Sequence, residues 1–205
     1  MASVKKMQRF GVFFASMLLV TGCSLFKTQQ LEIPANLTAE GRVKFLSQLE
    51  YWHLDGRIGI IANGESESAN ISWTQSGENS KLRIYGALGA TYALVHTKPG
   101  YAKLELSDDE VYEGTNAQYL LWEKTGWNIP VDALREWLLG LPNNAPSFEL
   151  NDKGYVKSIE FQNWAINFQL YDSYRGLDMP RKLKAKHPDI TLKFAIYDWE
   201  FTPDD

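Results

Sequence analysis

The sequence has one cysteine, three histidines and no apolar run long enough to cross a bilayer as a helix. A single cysteine excludes an internal disulfide. His53, His96 and His187 stand apart from one another and from that cysteine, so none has the spacing that holds a metal ion. No Gly-rich phosphate cradle or dinucleotide fingerprint occurs, and Gly64-Glu65-Ser66-Glu67-Ser68 fails the nucleophile-elbow pattern at its last residue. The adjacent carboxylates Asp108, Asp109 and Glu110 fall between two strand patterns, where a solvated turn explains them better than a glycosidase pair. Positive charge is also scarce. Of 21 Lys and Arg, three lie in the first 22 residues, leaving 18 against 25 Asp and Glu and a formal charge of −7 in the remainder. Such a balance disfavours nucleic acid as a partner. No enzyme chemistry, cofactor or metal is expected.

The chain opens instead on an ordered set of signals. Lys5, Lys6 and Arg9 precede the apolar run Phe10 to Val20, and small Thr21 and Gly22 follow before Cys23. This is the layout of a signal peptide, and its apolar run of about 11 residues falls short of the roughly 20 that span a membrane. Val20-Thr21-Gly22-Cys23 resembles the lipobox of bacterial lipoproteins, with Val20 where Leu is commoner. The resemblance implies that residues 1–22 are removed and that Cys23 carries the lipid. Ser24, rather than an Asp, then implies export to the outer membrane. Residues 23–37 read as a tether and residues 38–205 as one domain, long enough for a real core. Composition adds 44% hydrophobic and 13% aromatic residues with seven Trp, so an acidic domain has something apolar to enclose or contact.

From Gly56 onward the apolar residues mostly recur with period two, the mark of strands with one apolar face. Ile58 and Ile60, Ile71 and Trp73, Leu82 and Ile84, and Leu104 and Leu106 each flank a polar or small residue; the runs Trp164 to Leu170 and Leu192 to Ile196 repeat the alternation. Turn signals at Asn63-Gly64, Ser76-Gly77, Pro99-Gly100 and Asp152-Lys153-Gly154 separate them. Three stretches break the rhythm and predict helices. Thr38 to about Tyr51 has Thr38 as its N-cap, and Asn116 to Lys124 opens on a capping box formed by Thr115 and Gln118. Val131 to Leu139 starts after Pro130 and stops at Gly140. Three helices over about ten or eleven antiparallel strands give an α+β protein whose sheet curls. Periodicity leaves open whether the concave face packs solid or encloses a cavity.

One connection stands out. Tyr85-Gly86-Ala87-Leu88-Gly89-Ala90 joins two strand patterns, and Leu88 is the large apolar residue in a flexible, small-residue link. Either Leu88 folds back onto the sheet, or it forms a tip that dips into lipid, where burying a Leu is worth about 1.5 to 3 kcal/mol. That is enough to orient a tethered domain and too little to anchor one.

Several stretches together resemble the LolB family of outer-membrane lipoproteins. These are Gly56-Arg57, Ser72-Trp73-Thr74-Gln75, Leu82 to Gly89, Gly126 with Ile129-Pro130, and Leu134 to Pro142, which carries the family's R-x-W-x-x-G-L-P signature. The resemblance covers nearly all of the chain after Cys23. It implies an incomplete β-barrel of about 11 strands lidded by about three helices around an apolar cavity. It further implies a monomer that receives acylated lipoproteins from the periplasmic carrier LolA and inserts them into outer-membrane lipid. In the family a protruding loop carries an exposed leucine needed for delivery; the matching position is Leu88, between Gly86 and Gly89, with Ala87 where the family has Pro. For the cavity, Ile58, Ile60, Trp73, Leu104, Trp137, Phe161 and Phe168 are the candidate lining. A triacylated anchor holds roughly 45 methylene groups, and exposing them would cost on the order of 35 kcal/mol at about 0.8 kcal/mol each, so a carrier surface is physically required. The rival readings are a glycan-binding or assembly lipoprotein that uses exposed Trp and Tyr as stacking platforms, a ligand-free scaffold that uses the same sheet as pure core, and a divergent hydrolase.

Overall fold

The computed structural model describes residues 31–34, 37–142 and 144–202, so the signal peptide and Cys23 lie outside the described residues. In chain order the elements are α1 (Ala39–Ser47), β1 (Tyr51–Ala62), β2 (Glu65–Ser76), β3 (Asn79–Tyr85), β4 (Thr91–Lys98), β5 (Tyr101–Leu106), β6 (Val111–Gly114), α2 (Ala117–Thr125), α3 (Val131–Leu138), β7 (Ser147–Leu150), β8 (Val156–Phe161), β9 (Trp164–Tyr174), β10 (Leu177–Lys186) and β11 (Ile190–Glu200). The strands form one antiparallel sheet ordered β6-β5-β4-β3-β2-β1-β11-β10-β9-β8-β7. Neighbours are sequential hairpins except β1 and β11, which join the first and last strands in the middle of the sheet. β6 and β7 are left as the two edges, and the segment bearing α2 and α3 connects them. A twisted sheet of this size curls. Open between β6 and β7, it is the incomplete barrel the sequence leads one to expect.

Local chemistry explains the connections. Asn63 and Gly64 both take positive φ, 53° and 82°, the conformation of the tight two-residue hairpin that Asn-Gly favours. Opposite β1, the strand β11 carries a bulge. The register against β11 shifts between Asp55 and Gly56, and Tyr197 is left out of the pairing. A β-carbon on Gly56 would lie 2.5 Å from the Ala195 carbonyl oxygen, so the two backbones approach this closely only because residue 56 has no side chain. Asp108 to Glu110 form an exposed turn, with Asp109 in the left-handed region and the Glu110 amide donating to Asp108 Oδ1.

Three boundaries differ from the sequence reading. α1 stops at Ser47, and Tyr51 starts a strand instead of ending a helix; Trp52 and Leu54 are buried in phase with Ile58, so the period-two pattern begins before Gly56. The N-cap of α2 is Asn116, not Thr115. The Asn116 side chain accepts from the Tyr119 amide at 2.8 Å, while Gln118 donates to Asn128 Oδ1 instead of reaching back. Asn caps as well as Thr does, which is why spacing alone misplaced the start by one residue. Finally, Leu31, Ile33 and Leu37, inside the expected tether, are half-buried against the core.

The core fills the space between the sheet and the helices. α2 lies over β4 to β6. Trp137 of α3 meets Phe161 of β8 at 5.8 Å and Trp164 of β9 at 5.9 Å between ring centroids. Trp52 packs between Trp73 and Trp199. α1 is held differently: Arg42, almost wholly buried, donates from Nη2 and Nε to the Asp178 carbonyl oxygen at 2.8 and 3.2 Å and lies over the rings of Tyr155 and Tyr171. Burial lowers the pKa of Arg42 and raises that of the Tyr171 hydroxyl.

Candidate functional site

The β3–β4 loop stands at the end of the sheet that also carries the Asn63-Gly64 turn and the turn from His187 to Asp189, as the strand registers require. At its tip Leu88 is 101% exposed, so the side chain does not fold back onto the sheet. The backbone beneath it is a tight turn, in which the Gly89 amide donates to the Gly86 carbonyl at 3.0 Å and the Gly86 amide to Ala90 at 2.8 Å. Gly89 takes φ +86°, which a larger residue would resist. Gly86 is buried under the Tyr92 hydroxyl, which occupies the place a β-carbon would need. Two side chains hold the turn from the strands. Arg83 donates from Nη2 to the Gly89 carbonyl at 2.7 Å and from Nε to Thr91 Oγ1 at 2.9 Å, and Asn70 Nδ2 donates to the Gly86 carbonyl at 3.3 Å. Arg83 is itself steadied over the Tyr85 ring, 4.6 Å from its centroid. The loop residues Gly86 to Ala90 carry no ionisable side chain, so the charge nearest the tip is the Arg83 guanidinium beneath it.

The seven residues expected to line a cavity are brought together. Ile58, Ile60, Trp73, Leu104, Trp137 and Phe168 are buried in the single apolar cluster, and Phe161 sits at its margin. None of them lines the clefts described between the described residues. One of those clefts, of about 420 Å³, opens at the end of the sheet opposite Leu88, where Leu46, Leu49, Trp52 and Leu139 meet Gln75, Lys98 and Arg135. Gln75 is buried there; its Nε2 donates to the Gly77 carbonyl, while among the described residues its Oε1 has no donor. A second, of about 220 Å³, lies between α2 and the strand ends near Asn63 and His187. Sequence reasoning missed the bracing of the loop by Arg83 and Asn70 and the cleft at Gln75. Arg83 carries no local signal, because a charged residue on the outer face of a strand is the ordinary case.

A sequence model of the family described as Outer membrane lipoprotein LolB matches residues 50–199. The chain belongs to the LolB family. Its relatives include the outer-membrane lipoprotein LolB of Vibrio cholerae, 29% identical over 92% of this chain and 94% of the relative, and that of Psychromonas ingrahamii, 32% identical over 89% and 91%. Among solved structures, a LolA superfamily protein from Nitrosomonas europaea superposes with a TM-score of 0.53 at 9% identity, covering 83% of this chain and 96% of that one. A putative outer membrane lipoprotein-sorting protein domain from Vibrio parahaemolyticus gives 0.51 at 13% identity, over 80% and 93%. At those identities the likeness is one of fold. The stretch Leu134 to Pro142 maps onto architecture: Arg135 and Trp137 lie on α3, and Gly140, at φ +74°, and Leu141 close it by donating amide hydrogen bonds to the Trp137 and Glu136 carbonyls. It docks the helix that covers β8 and β9, and Leu88 lies elsewhere in the sequence.

Proposed function

We propose that this protein is an outer-membrane lipoprotein that accepts acylated lipoproteins from the periplasmic carrier LolA and inserts them into the outer membrane without covalent chemistry. The observation that carries the reading is Leu88, fully exposed at the tip of a loop braced from below, on a barrel of the LolB family. Cys23 carries the lipid that keeps the domain at the periplasmic face of the membrane, residues leading to Leu31 tether it, and the domain works as a monomer. The concave face takes the acyl chains: Ile58, Ile60, Trp73, Leu104, Trp137, Phe161 and Phe168 replace water around them once the α2–α3 segment yields. Transfer then needs only a ladder of affinities, lowest in the carrier and highest in the bilayer. Glycan binding is not favoured: five of the seven Trp are buried in the core, and Trp122 with Tyr119 is a single exposed pair, not an array.

The reading is tested with a soluble form beginning after Cys23, mixed with LolA loaded with a triacylated lipoprotein. The lipoprotein is expected to move to the soluble form and to co-elute with it in size-exclusion chromatography. Lipoprotein that stays with LolA at equilibrium overturns the reading.

A further inference from the structure

An isolated leucine in water, on a link with two glycines, has every reason to collapse onto nearby apolar surface. Here Tyr85 and Tyr92 flank the loop at its roots, and folding onto them would remove Leu88 from solvent. The structure holds it out instead, and the hydrogen bonds say how. The turn presents two carbonyls downward, those of Gly86 and Gly89, and each receives a side-chain donor from the strands below, Asn70 to the first and Arg83 to the second. The Arg83 contact is the stronger of the two. It is charge-assisted, shorter, and made by a planar fork whose other arm engages Thr91 Oγ1 at the start of β4, so one group bridges the two strands that carry the loop. The guanidinium in turn rests on Tyr85.

We infer that Arg83 is the positioning residue of the membrane-insertion loop: from β3 it holds the Gly89 carbonyl and Thr91 at the start of β4, and so keeps Leu88 projected from the barrel, ready to enter lipid. This rests on the delivery function proposed above. Arg83 touches no lipid itself; it acts through the loop backbone. An alternative brace is also available to the chain. Neither Ala87 nor Leu88 has positive φ, as in a type I turn whose second position is Ala87, and that position favours Pro. Ala87→Pro therefore stiffens the same turn without the guanidinium.

The test uses the soluble form, in the parent sequence, Arg83→Met and Arg83→Met with Ala87→Pro. Two readouts are taken: the amide order parameter of Leu88 by NMR relaxation, and the rate at which lipoprotein loaded from LolA enters phosphatidylethanolamine-rich vesicles. The parent is expected near the rigid value of about 0.85, Arg83→Met below about 0.6, and the double variant back near the parent. Insertion is expected to fall roughly tenfold in Arg83→Met and to recover in the double variant. Acceptance from LolA is expected to be unchanged throughout, which a merely structural role would not give, and the melting temperature to stay within about 5 °C of the parent. An unchanged order parameter in Arg83→Met, or insertion at the parent rate, overturns the inference. Failure of the parent itself to take or insert lipoprotein counts against the proposed function, and the order parameter still decides the brace. Should Arg83→Met fail to fold, Arg83→Lys replaces it, since an ammonium keeps the charge over Tyr85 but cannot bridge both acceptors.

Discussion

At the scale of single residues, Leu88 exposes its whole side chain and makes no packing contact that a substitution could remove. Leu88→Glu is therefore expected to leave the melting temperature within about 2 °C of the parent, as surface changes do. It is also expected to leave acceptance from LolA intact, because the proposed function puts acyl-chain binding on the concave face, away from Leu88. Delivery is where it should fail. Losing a buried leucine worth about 1.5 to 3 kcal/mol, and adding a charge, should slow insertion into vesicles by about tenfold to a hundredfold. Insertion at the parent rate would remove Leu88 from the mechanism. The sequence picked out this residue by its isolation among Gly86, Ala87 and Gly89, yet left both of its conformations open. What decides between them is the Arg83 and Asn70 donors, which lie in strands and reach the loop only after β2, β3 and β4 have paired in register.

Among the elements, α1 shows how far periodicity carries. Phe45, Leu46 and Leu49 mark a helical face in the sequence, and Thr38 caps it as expected, its hydroxyl accepting from the Gly41 amide at 3.1 Å. Only Leu46 of the three is fully buried, however, and the tie to the sheet is Arg42, bonded to the Asp178 carbonyl and lying over two tyrosines. Arg42→Met keeps the volume but strands that carbonyl. Two charge-assisted bonds and the ring contacts are lost, for a cost of about 2 to 3 kcal/mol. For a domain of this length that is a fall of roughly 5 to 10 °C in Tm, measured by circular dichroism. A shift under about 1 °C would mean that the apolar face alone holds α1. Hairpins were more legible than caps: Asn63-Gly64 announces its turn, whereas Arg175-Gly176, which takes the same pair of positive φ values, combines a residue without turn preference with one glycine.

For the molecule as a whole, the sheet is continuous from β6 to β7 through the β1–β11 pair, and the α2–α3 segment crosses between the edges. The cavity candidates are packed together, so on the proposed function room for acyl chains would come from moving helices, not strands; central strands are hydrogen-bonded on both sides and cannot separate cheaply. A fluorescent fatty-acid analogue is therefore expected to bind the soluble form saturably. Hydrogen exchange should then change in Ala117–Thr125 and Val131–Leu138 while β1, β2 and β11 stay protected. Uniform change across the sheet, or no saturable binding, would contradict helix-gated entry.

Sequence alone points to the export signal and to Cys23 as the lipid-bearing residue, expectations that are read by order and chemistry along the chain, need no fold and lie outside the described residues. It determined the curled antiparallel sheet, because period-two burial and turn residues are local properties. Tertiary structure decided the rest. That β1 pairs with β11, that the barrel stays open between β6 and β7, and that Arg83 reaches the Gly89 carbonyl are consequences of strand pairing between residues far apart or of side chains meeting across strands. No local pattern encodes which way a leucine between glycines will point; that direction comes from donors placed beneath it by the folded sheet.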